Sequence, residues 1–393
     1  MLKVFKKLIL LIGTIAVTLF LIEGFLILFG ARTFTQPFIV FDGNPERLLA
    51  ERGQNYDGSK KPVYLTDSVT FWKFKPSKDV VLNLDNQSVA DDFYKLYEIN
   101  SHGFRGSEFS VQKPAGTFRI IALGDSTTFG LFVDEAETYY KRLEKMLAKD
   151  FAPLKLRIEI ISAGMPGFTS YQGYQLFKKE LRRYDPDMIL VYFGITNEFN
   201  RSAYTDREYA GMISESPLEN LAKKSRLAAL IHSGAVKAKL FQAKKLIPSQ
   251  GDRLRVPPME FLTDLIDIQR LAFQSQVAPV FIVPTYKSTQ LKSYPIAFQY
   301  AGMLRFLSEF FPVVDIWRNF EERELAIDSL FVDEVHLNPQ GHELMAEILY
   351  PVLKSEIKKF FRSDGLSTKP SFSNYRAVFE NLSRRIYNSK VSR

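Results

Sequence analysis

An α/β architecture, with a parallel sheet covered by helices on both sides and one N-terminal transmembrane helix ahead of it, is predicted by two observations. From residue 111 onward, short apolar runs alternate with helical stretches, the pattern of strand–helix units that build a parallel sheet. Before them, Leu8–Gly30 is almost continuously apolar.

As a helix, Leu8–Gly30 would span roughly 34 Å, about the hydrocarbon thickness of a bilayer. It is too long for a typical signal-peptide core, and Phe29 breaks the small-residue pattern of a cleavage site ahead of Arg32. Lys3, Lys6 and Lys7 precede the run, whereas only Arg32 closely follows it. The N-terminus is therefore expected in the cytoplasm and everything after residue 31 outside. That describes an uncleaved signal anchor in the cytoplasmic membrane, with the main domain on the periplasmic or extracellular side. A cleaved signal peptide is the alternative. Glu23 interrupts the run; it is expected to be protonated or hydrated near the interface, because the sequence holds no second apolar span to pair with it.

The organisation expected is a cytoplasmic N-terminus and anchor over 1–31, a lead-in over 32–110, a catalytic domain over 111–363 and a polar tail over 364–393. The lead-in carries few helical signals and many turn residues, such as Asp42-Gly43-Asn44-Pro45, Pro76-Ser77-Lys78-Asp79 and Asn100-Ser101-His102-Gly103. With Val80–Leu84 as a strand, it is expected to be irregular or β-rich and to pack beside the main sheet. His102, in a glycine-bounded turn, is read as structural.

In the catalytic domain the strand candidates are Phe118–Leu123, Leu156–Ser162, Met188–Phe193, Pro279–Val283 and Pro312–Ile316. Helices are expected near 136–149, 170–183, 257–275, 296–310 and 339–361. An insertion over 200–256 carries a basic stretch between Leu221 and Val256: Lys223, Lys224, Arg226, Lys237, Lys239, Lys244, Lys245, Arg253 and Arg255 against Asp252 alone. A solvated helix face, a contact with an anionic polymer and a patch on anionic headgroups are the three readings, the first being the commonest outcome. Nucleic acid does not fit a segment outside the membrane. His232 is expected at the surface. In the tail, Tyr375, Val378, Phe379, Leu382 and Ile386 have helical spacing.

Composition removes several chemistries. The chain of 393 residues contains no cysteine, which excludes thiol nucleophiles, thiolate zinc sites and disulfides. Its four histidines include no HExxH pattern. Neither a metal nor an organic cofactor is expected.

The central stretch is Phe118–Gly130, FRIIALGDSTTFG. It fails as a P-loop, because Phe129 stands where the second glycine belongs, and as a dinucleotide fingerprint, because Ser126 does. It also misses the nucleophile elbow at Thr128. What remains is a serine just past the carboxyl end of a central strand, where open α/β sheets place their ligand crevice. Ser126 is the candidate nucleophile.

A serine hydroxyl needs a base to take its proton, and the base works best when a carboxylate fixes its tautomer. Asp333 and His336 offer both in one loop, after the last strand candidate and ahead of a helix with Asn338 as N-cap and Pro339 at its first position. Donors for a developing oxyanion are sought in the loops after the second and third strands. The first, Ala163-Gly164-Met165-Pro166-Gly167-Phe168-Thr169-Ser170, supplies glycines that permit close backbone approach. The second, Phe193-Gly194-Ile195-Thr196-Asn197-Glu198, supplies an amide.

Together these blocks, over about residues 117–361, resemble the GDSL or SGNH hydrolase family. The resemblance implies a three-layer α/β/α sandwich with a five-stranded parallel sheet in a flavodoxin-like arrangement. It implies Ser126 as nucleophile and first oxyanion donor through its own N–H, Gly167 and Asn197 as the other oxyanion donors, and Asp333 and His336 as the closing D-x-x-H. Gly164 is the alternative to Gly167, and His342 matches no catalytic position. Thr127 replaces the usual leucine, the Gly194–Asn197 block is one residue longer than G-x-N, and Glu198 replaces an aspartate. NSHGFRG before the first strand also resembles membrane-anchored bacterial members.

The function implied is a membrane-anchored serine esterase cleaving an acyl, first of all O-acetyl, ester outside the cytoplasmic membrane. An acylated envelope glycan, a lipid or a small ester would be its substrate. An O-acyltransferase using the same serine, or a degenerate binding or assembly protein, are the rival readings.

Overall fold

The computed structural model describes residues 2–30, 53–55, 64–67, 69–83, 94–202, 204–213, 221, 224–231, 234, 253–323 and 327–361. The turn expected at Asp42–Pro45, the readings of His232 and of the tail, and most of the basic stretch lie outside them.

The N-terminal helix runs Leu2–Leu28, and its segment Phe5–Leu28 is long and apolar enough to cross a membrane. In the lead-in, β1 (Gly53–Asn55), β4 (Ser77–Asn83) and β5 (Tyr94–Ile99) form an antiparallel sheet, while β2 (Tyr64–Asp67) pairs with β3 (Phe71–Phe74). The turn expected at Pro76–Asp79 is instead the start of β4. Its turn residues are accommodated by a register shift between Ser77 and Val80, since a bulge takes up one residue without ending the strand. Asn100–Gly103 does turn, with the Gly103 N–H donating to the Asn100 carbonyl at 2.9 Å.

Five parallel strands form the main sheet: β6 (Thr117–Gly124), β7 (Arg157–Gly164), β8 (Met188–Tyr192), β11 (Ala278–Val283) and β12 (Val313–Asp315). Between β8 and β11 the short strands β9 (Arg201–Ser202) and β10 (Arg253–Leu254) pair with each other. Every residue of β6 is buried, as a central strand covered on both faces requires. The spatial order is β12-β11-β8-β6-β7. The first strand of this sheet thus lies between the second and the third, and the order reverses beside it, which is where doubly wound sheets open their crevice.

The helix Tyr139–Phe151 packs against Pro339–Lys358, and Ser170–Lys179 against Pro258–Gln274, completing the three layers. Asn338 caps the last long helix as expected, its side chain accepting the Gly341 N–H at 3.0 Å. The helix expected over 170–183 stops at Lys179. A 3-10 turn, Leu181–Tyr184, follows and ends at Asp185 with φ +48°, a left-handed residue that an α-helix cannot continue through.

The lead-in braces the segment that follows β6. Phe74 and Tyr97 set their rings 5.3 and 5.0 Å from that of Phe129. The buried Arg105 guanidinium donates to the carbonyls of Phe129 (2.6 Å), Gly130 (2.7 Å) and Val133 (2.7 Å). Arg105 belongs to NSHGFRG, so that stretch supports the turn around Ser126. His102 is structural as expected: its Nε2 lies 3.1 Å from the Phe109 carbonyl and its ring packs on Phe109 and Tyr184.

Two expectations are corrected here. Arg255 does not belong to a solvated face: it is 1% exposed and pairs with Asp206, whereas Arg253 stays exposed and pairs with Glu208. A buried guanidinium persists only where its donors are satisfied, and Asp206 with two further acceptors satisfies this one. Glu23 is neither isolated nor merely hydrated. Its carboxylate accepts from the Ser225 hydroxyl (2.8 Å) and from the N–H groups of Arg226 (2.8 Å) and Leu227 (3.0 Å).

Candidate active site

Ser126 opens a single helical turn, Ser126–Phe129, directly after β6. Asp125 is its N-cap, with Oδ1 accepting the Thr127 N–H at 2.9 Å and the Thr127 hydroxyl at 2.8 Å. Gly130 closes the turn at φ +78°, a conformation glycine adopts without a Cβ penalty. As the first residue of the turn, Ser126 has an N–H with no intrahelical acceptor, so it is available to a ligand.

The D-x-x-H loop brings its two groups to this serine. The Asp333 Oδ1 accepts the N–H groups of Val335 (2.9 Å) and His336 (2.8 Å), and Oδ2 lies 2.7 Å from His336 Nδ1. His336 Nε2 is 2.8 Å from Ser126 Oγ. A carboxylate only accepts, so Nδ1 carries the proton and Nε2 is left to accept from the serine hydroxyl. Burial alone would raise the Asp333 carboxyl; the facing His336 and the three hydrogen bonds outweigh it and hold the group at about 2. Burial likewise opposes charging of His336, but Asp333 prevails and raises it above 6.5.

Phe132 sets its ring edge-on to His336 at 5.3 Å. Its φ of +72° is unusual for a bulky residue, and its N–H donates to the Tyr97 hydroxyl at 2.9 Å, which secures that conformation from the lead-in.

The glycines of the second block separate by geometry. Gly164 ends β7 in register with Gly124. A Cβ on Gly164 would stand 2.2 Å from the Phe129 nitrogen, so this glycine permits close packing against the serine turn. Gly167 lies in the loop beyond, at φ +80°, and its N–H has no acceptor among the described residues. The peptide carrying that N–H is held from its other side, where Trp72 Nε1 donates to the Pro166 carbonyl at 3.3 Å. Arg255 Nη1 donates to the next carbonyl, Gly167 O, at 2.8 Å, and its guanidinium lies over the Trp72 ring.

Asn197 donates through Nδ2 to Asp125 Oδ2 at 3.0 Å. The longer Gly194–Asn197 block therefore still delivers the amide beside Ser126, with Gly194 at φ +97° and its carbonyl accepting the Tyr286 hydroxyl. The second amide hydrogen of Asn197 is not used by Asp125. Next to it, Glu198 is fully buried. One of its oxygens accepts the Ser170 N–H at 3.0 Å, while the other has no partner among the described residues. Burial, reinforced by the Asp125 charge, pushes the Glu198 carboxyl up to about 8. His342 is a packing residue: it stacks on Tyr139, accepts that residue's N–H at 3.2 Å, and burial lowers it to about 3.

The structure thus gathers Ser126, Asp333, His336 and Asn197 around one strand end and keeps Gly167 in the adjoining loop. Sequence reasoning missed Trp72, Arg105, Phe132 and Arg255. Each acts across a long chain separation; Arg105 lay in the NSHGFRG stretch without a role assigned to it, and the charge of Arg255 pointed toward solvent. Among the described residues no group of histidines and carboxylates is arranged to hold a metal ion.

Several solved structures align with this chain at low identity. A lipase/acylhydrolase from Enterococcus faecalis aligns with 61% of this chain and 96% of its own (17% identity, TM-score 0.39). A G-D-S-L family lipolytic protein from Desulfitobacterium hafniense covers 60% and 98% (14%, 0.36), and an acetyl xylan esterase 60% and 100% (14%, 0.40). No curated protein matches the chain. The model of the GDSL-like lipase/acylhydrolase family matches residues 122–344, more than half of the chain and all of the blocks described above. The chain belongs to the GDSL-like lipase/acylhydrolase family of ester-hydrolysing enzymes.

Proposed function

We propose that the protein is a membrane-anchored serine esterase that cleaves an acyl ester outside the cytoplasmic membrane through a Ser126–His336–Asp333 relay. The observation that carries this reading is the pair of contacts of 2.7 and 2.8 Å that runs from Asp333 through His336 to Ser126. Ser126 Oγ attacks the acyl carbon as its proton passes to His336 Nε2. The N–H groups of Ser126 and Gly167 and the Asn197 amide stabilise the oxyanion of the tetrahedral intermediate. Collapse breaks the ester C–O bond, and His336 returns the proton to the leaving alkoxide. Water, deprotonated by His336, then attacks the acyl-enzyme, releasing the acid and restoring the serine hydroxyl.

The apolar helix segment Phe5–Leu28, with Lys3, Lys6 and Lys7 at its N-terminal end, supports this location. It makes an acylated, first of all O-acetylated, component of the envelope the substrate class. No step of this mechanism requires a metal or an organic cofactor.

The test is a burst assay on the full chain in detergent with an activated acetyl ester, comparing wild type with Ser126→Ala and His336→Ala. A burst followed by steady turnover, lost in both variants, is the expected result. A burst without turnover would replace hydrolysis by acyl transfer to a hydroxyl acceptor. Failure of the folded protein to react with an active-site serine probe would overturn the catalytic reading.

A further inference from the structure

The unusual carboxylate of the N-terminal helix has a partner from an unexpected place. Glu23 lies five residues before the end of the apolar segment Phe5–Leu28, about 7.5 Å along the helix axis from its outer end. Its acceptors are filled by the start of a short helical segment, residues 226–231, from the insertion. The Ser225 hydroxyl caps that segment, also accepting the Ala228 N–H at 3.2 Å, and the Ala229 N–H donates to the Ser225 carbonyl at 2.9 Å. A carboxylate at this depth is costly unless hydrogen-bonded, and these donors meet that requirement.

The segment has two unlike sides. Ala228 and Ala229 are buried, at 4% and 3% exposure, whereas Leu230 and Ile231 are 64% and 54% exposed and the nearby Leu221 is 55% exposed. The Leu221 carbonyl accepts the Lys224 and Ser225 N–H groups, which ties Leu221 to the start of this segment, and exposed aliphatic side chains beside a membrane-spanning helix mark a surface that seeks an apolar environment. Lys224, at the start of the segment, is exposed. The depth set by Glu23 falls within the 5–10 Å or so at which interfacial helices embed.

We propose that residues 224–231 form a second, interfacial contact with the lipid bilayer, docked on the spanning helix through Glu23, with Leu230 and Ile231 in the outer acyl-chain boundary and Lys224 at the headgroups. This rests on the reading of Phe5–Leu28 as a membrane span. The contact holds the catalytic domain at a set height and orientation relative to the bilayer.

The absence of native cysteine permits a direct test on the full chain in phospholipid vesicles. Single cysteines replace Leu230, Leu19 in the middle of the span, and Val111 on the exposed surface of the catalytic domain. Each carries a nitroxide, and its accessibility to oxygen and to a water-soluble nickel chelate is measured. Leu19→Cys is expected deep in lipid, Val111→Cys in water, and Leu230→Cys to show an oxygen-to-nickel ratio several-fold above Val111→Cys. Adding Glu23→Ala should return the Leu230 label toward the aqueous value, while Glu23→Gln, which keeps an acceptor, should preserve part of the difference. A Leu230 label as wet as Val111, with Leu19 still in lipid, would overturn the docking alone. An aqueous Leu19 label would overturn the span and the docking with it. A Leu230 label indifferent to Glu23→Ala would overturn the role of Glu23.

Discussion

Asp333 and His336 are three residues apart and meet within one loop, whereas the support for the proposed oxyanion donors comes from three distant parts of the chain. Trp72 of the lead-in holds the Pro166–Gly167 peptide, Arg255 at the end of the insertion holds the next carbonyl, and Asp125 holds Asn197. Arg255 in turn is fixed by Asp206, which also accepts the Thr169 hydroxyl at 2.6 Å, and by Gln172 at 2.8 Å. The proton-relay side is local and short in sequence, so it survives wherever its loop folds. The oxyanion side depends on tertiary packing, so it is the half that remote substitutions should disturb. The insertion reaches the site through that half, and the lead-in through both, with Trp72 at the Gly167 loop and Arg105 and Tyr97 at the serine turn and Phe132.

Variants can break this contrast in order of expected effect. On the relay side, Asp333→Asn removes the carboxylate that selects the His336 tautomer, and kcat should fall by about 10⁴-fold. The residual activity should also reach half its maximum at a lower pH, because Asp333 is what raises His336. A pH–rate profile reads both effects; an unchanged inflection would separate Asp333 from His336. On the oxyanion side, Asn197→Ala should lower kcat by about 10²–10³-fold with little change in KM, as removal of one transition-state donor does.

Arg255→Met tests the remote support. It leaves the buried Asp206 carboxylate uncompensated, which should cost about 3–5 kcal/mol of stability in chemical denaturation. In protein that remains folded, kcat should fall by roughly ten- to a hundredfold through the loosened Gly167 loop. Pairing it with Asp206→Asn should restore much of the stability without restoring kcat. If kcat and stability recover together, Arg255 supports the fold and not the donor.

The smallest effect is expected at Glu198, and it is one of pH. Burial pushes its carboxyl up to about 8 in the folded chain, against an ordinary 4.5. Between those values the folded chain keeps a proton that the unfolded chain has lost, so stability falls as pH rises through that window. Glu198→Gln retains an acceptor for the Ser170 N–H and removes this slope. Thermal melts of variant and wild type should differ little near pH 4.5 and separate by about 2–5 kcal/mol by pH 8.

The uneven distance over which the site is built also explains what could be read in advance. Every strand of the main sheet was legible because buried parallel strands are short apolar runs between turn residues; β6 and β11 are buried at every position. The contact between Asp333 and His336 was legible because a D-x-x-H loop keeps both groups in sequence reach. Glu23 was misjudged because its partners, residues 225–227, lie about 200 positions away. Arg255 was misjudged because charge in a sequence is indistinguishable from charge at a surface. The Pro76–Asp79 turn signal was real but became a bulge, since turn residues fit either.

By itself, the sequence determined the parallel α/β sheet, the apolar N-terminal helix, and the serine, histidine, aspartate and asparagine that stand at its strand ends. These are properties of periodicity and short spacing, which local chemistry encodes. The tertiary structure alone decided which glycine packs and which keeps a free N–H. It likewise decided that Arg255 is buried against the Gly167 loop, and that Glu23 receives the insertion. The physical reason is the same in each case: burial, close approach and hydrogen-bond satisfaction depend on what the fold brings alongside a residue, and the partners here are remote in the chain.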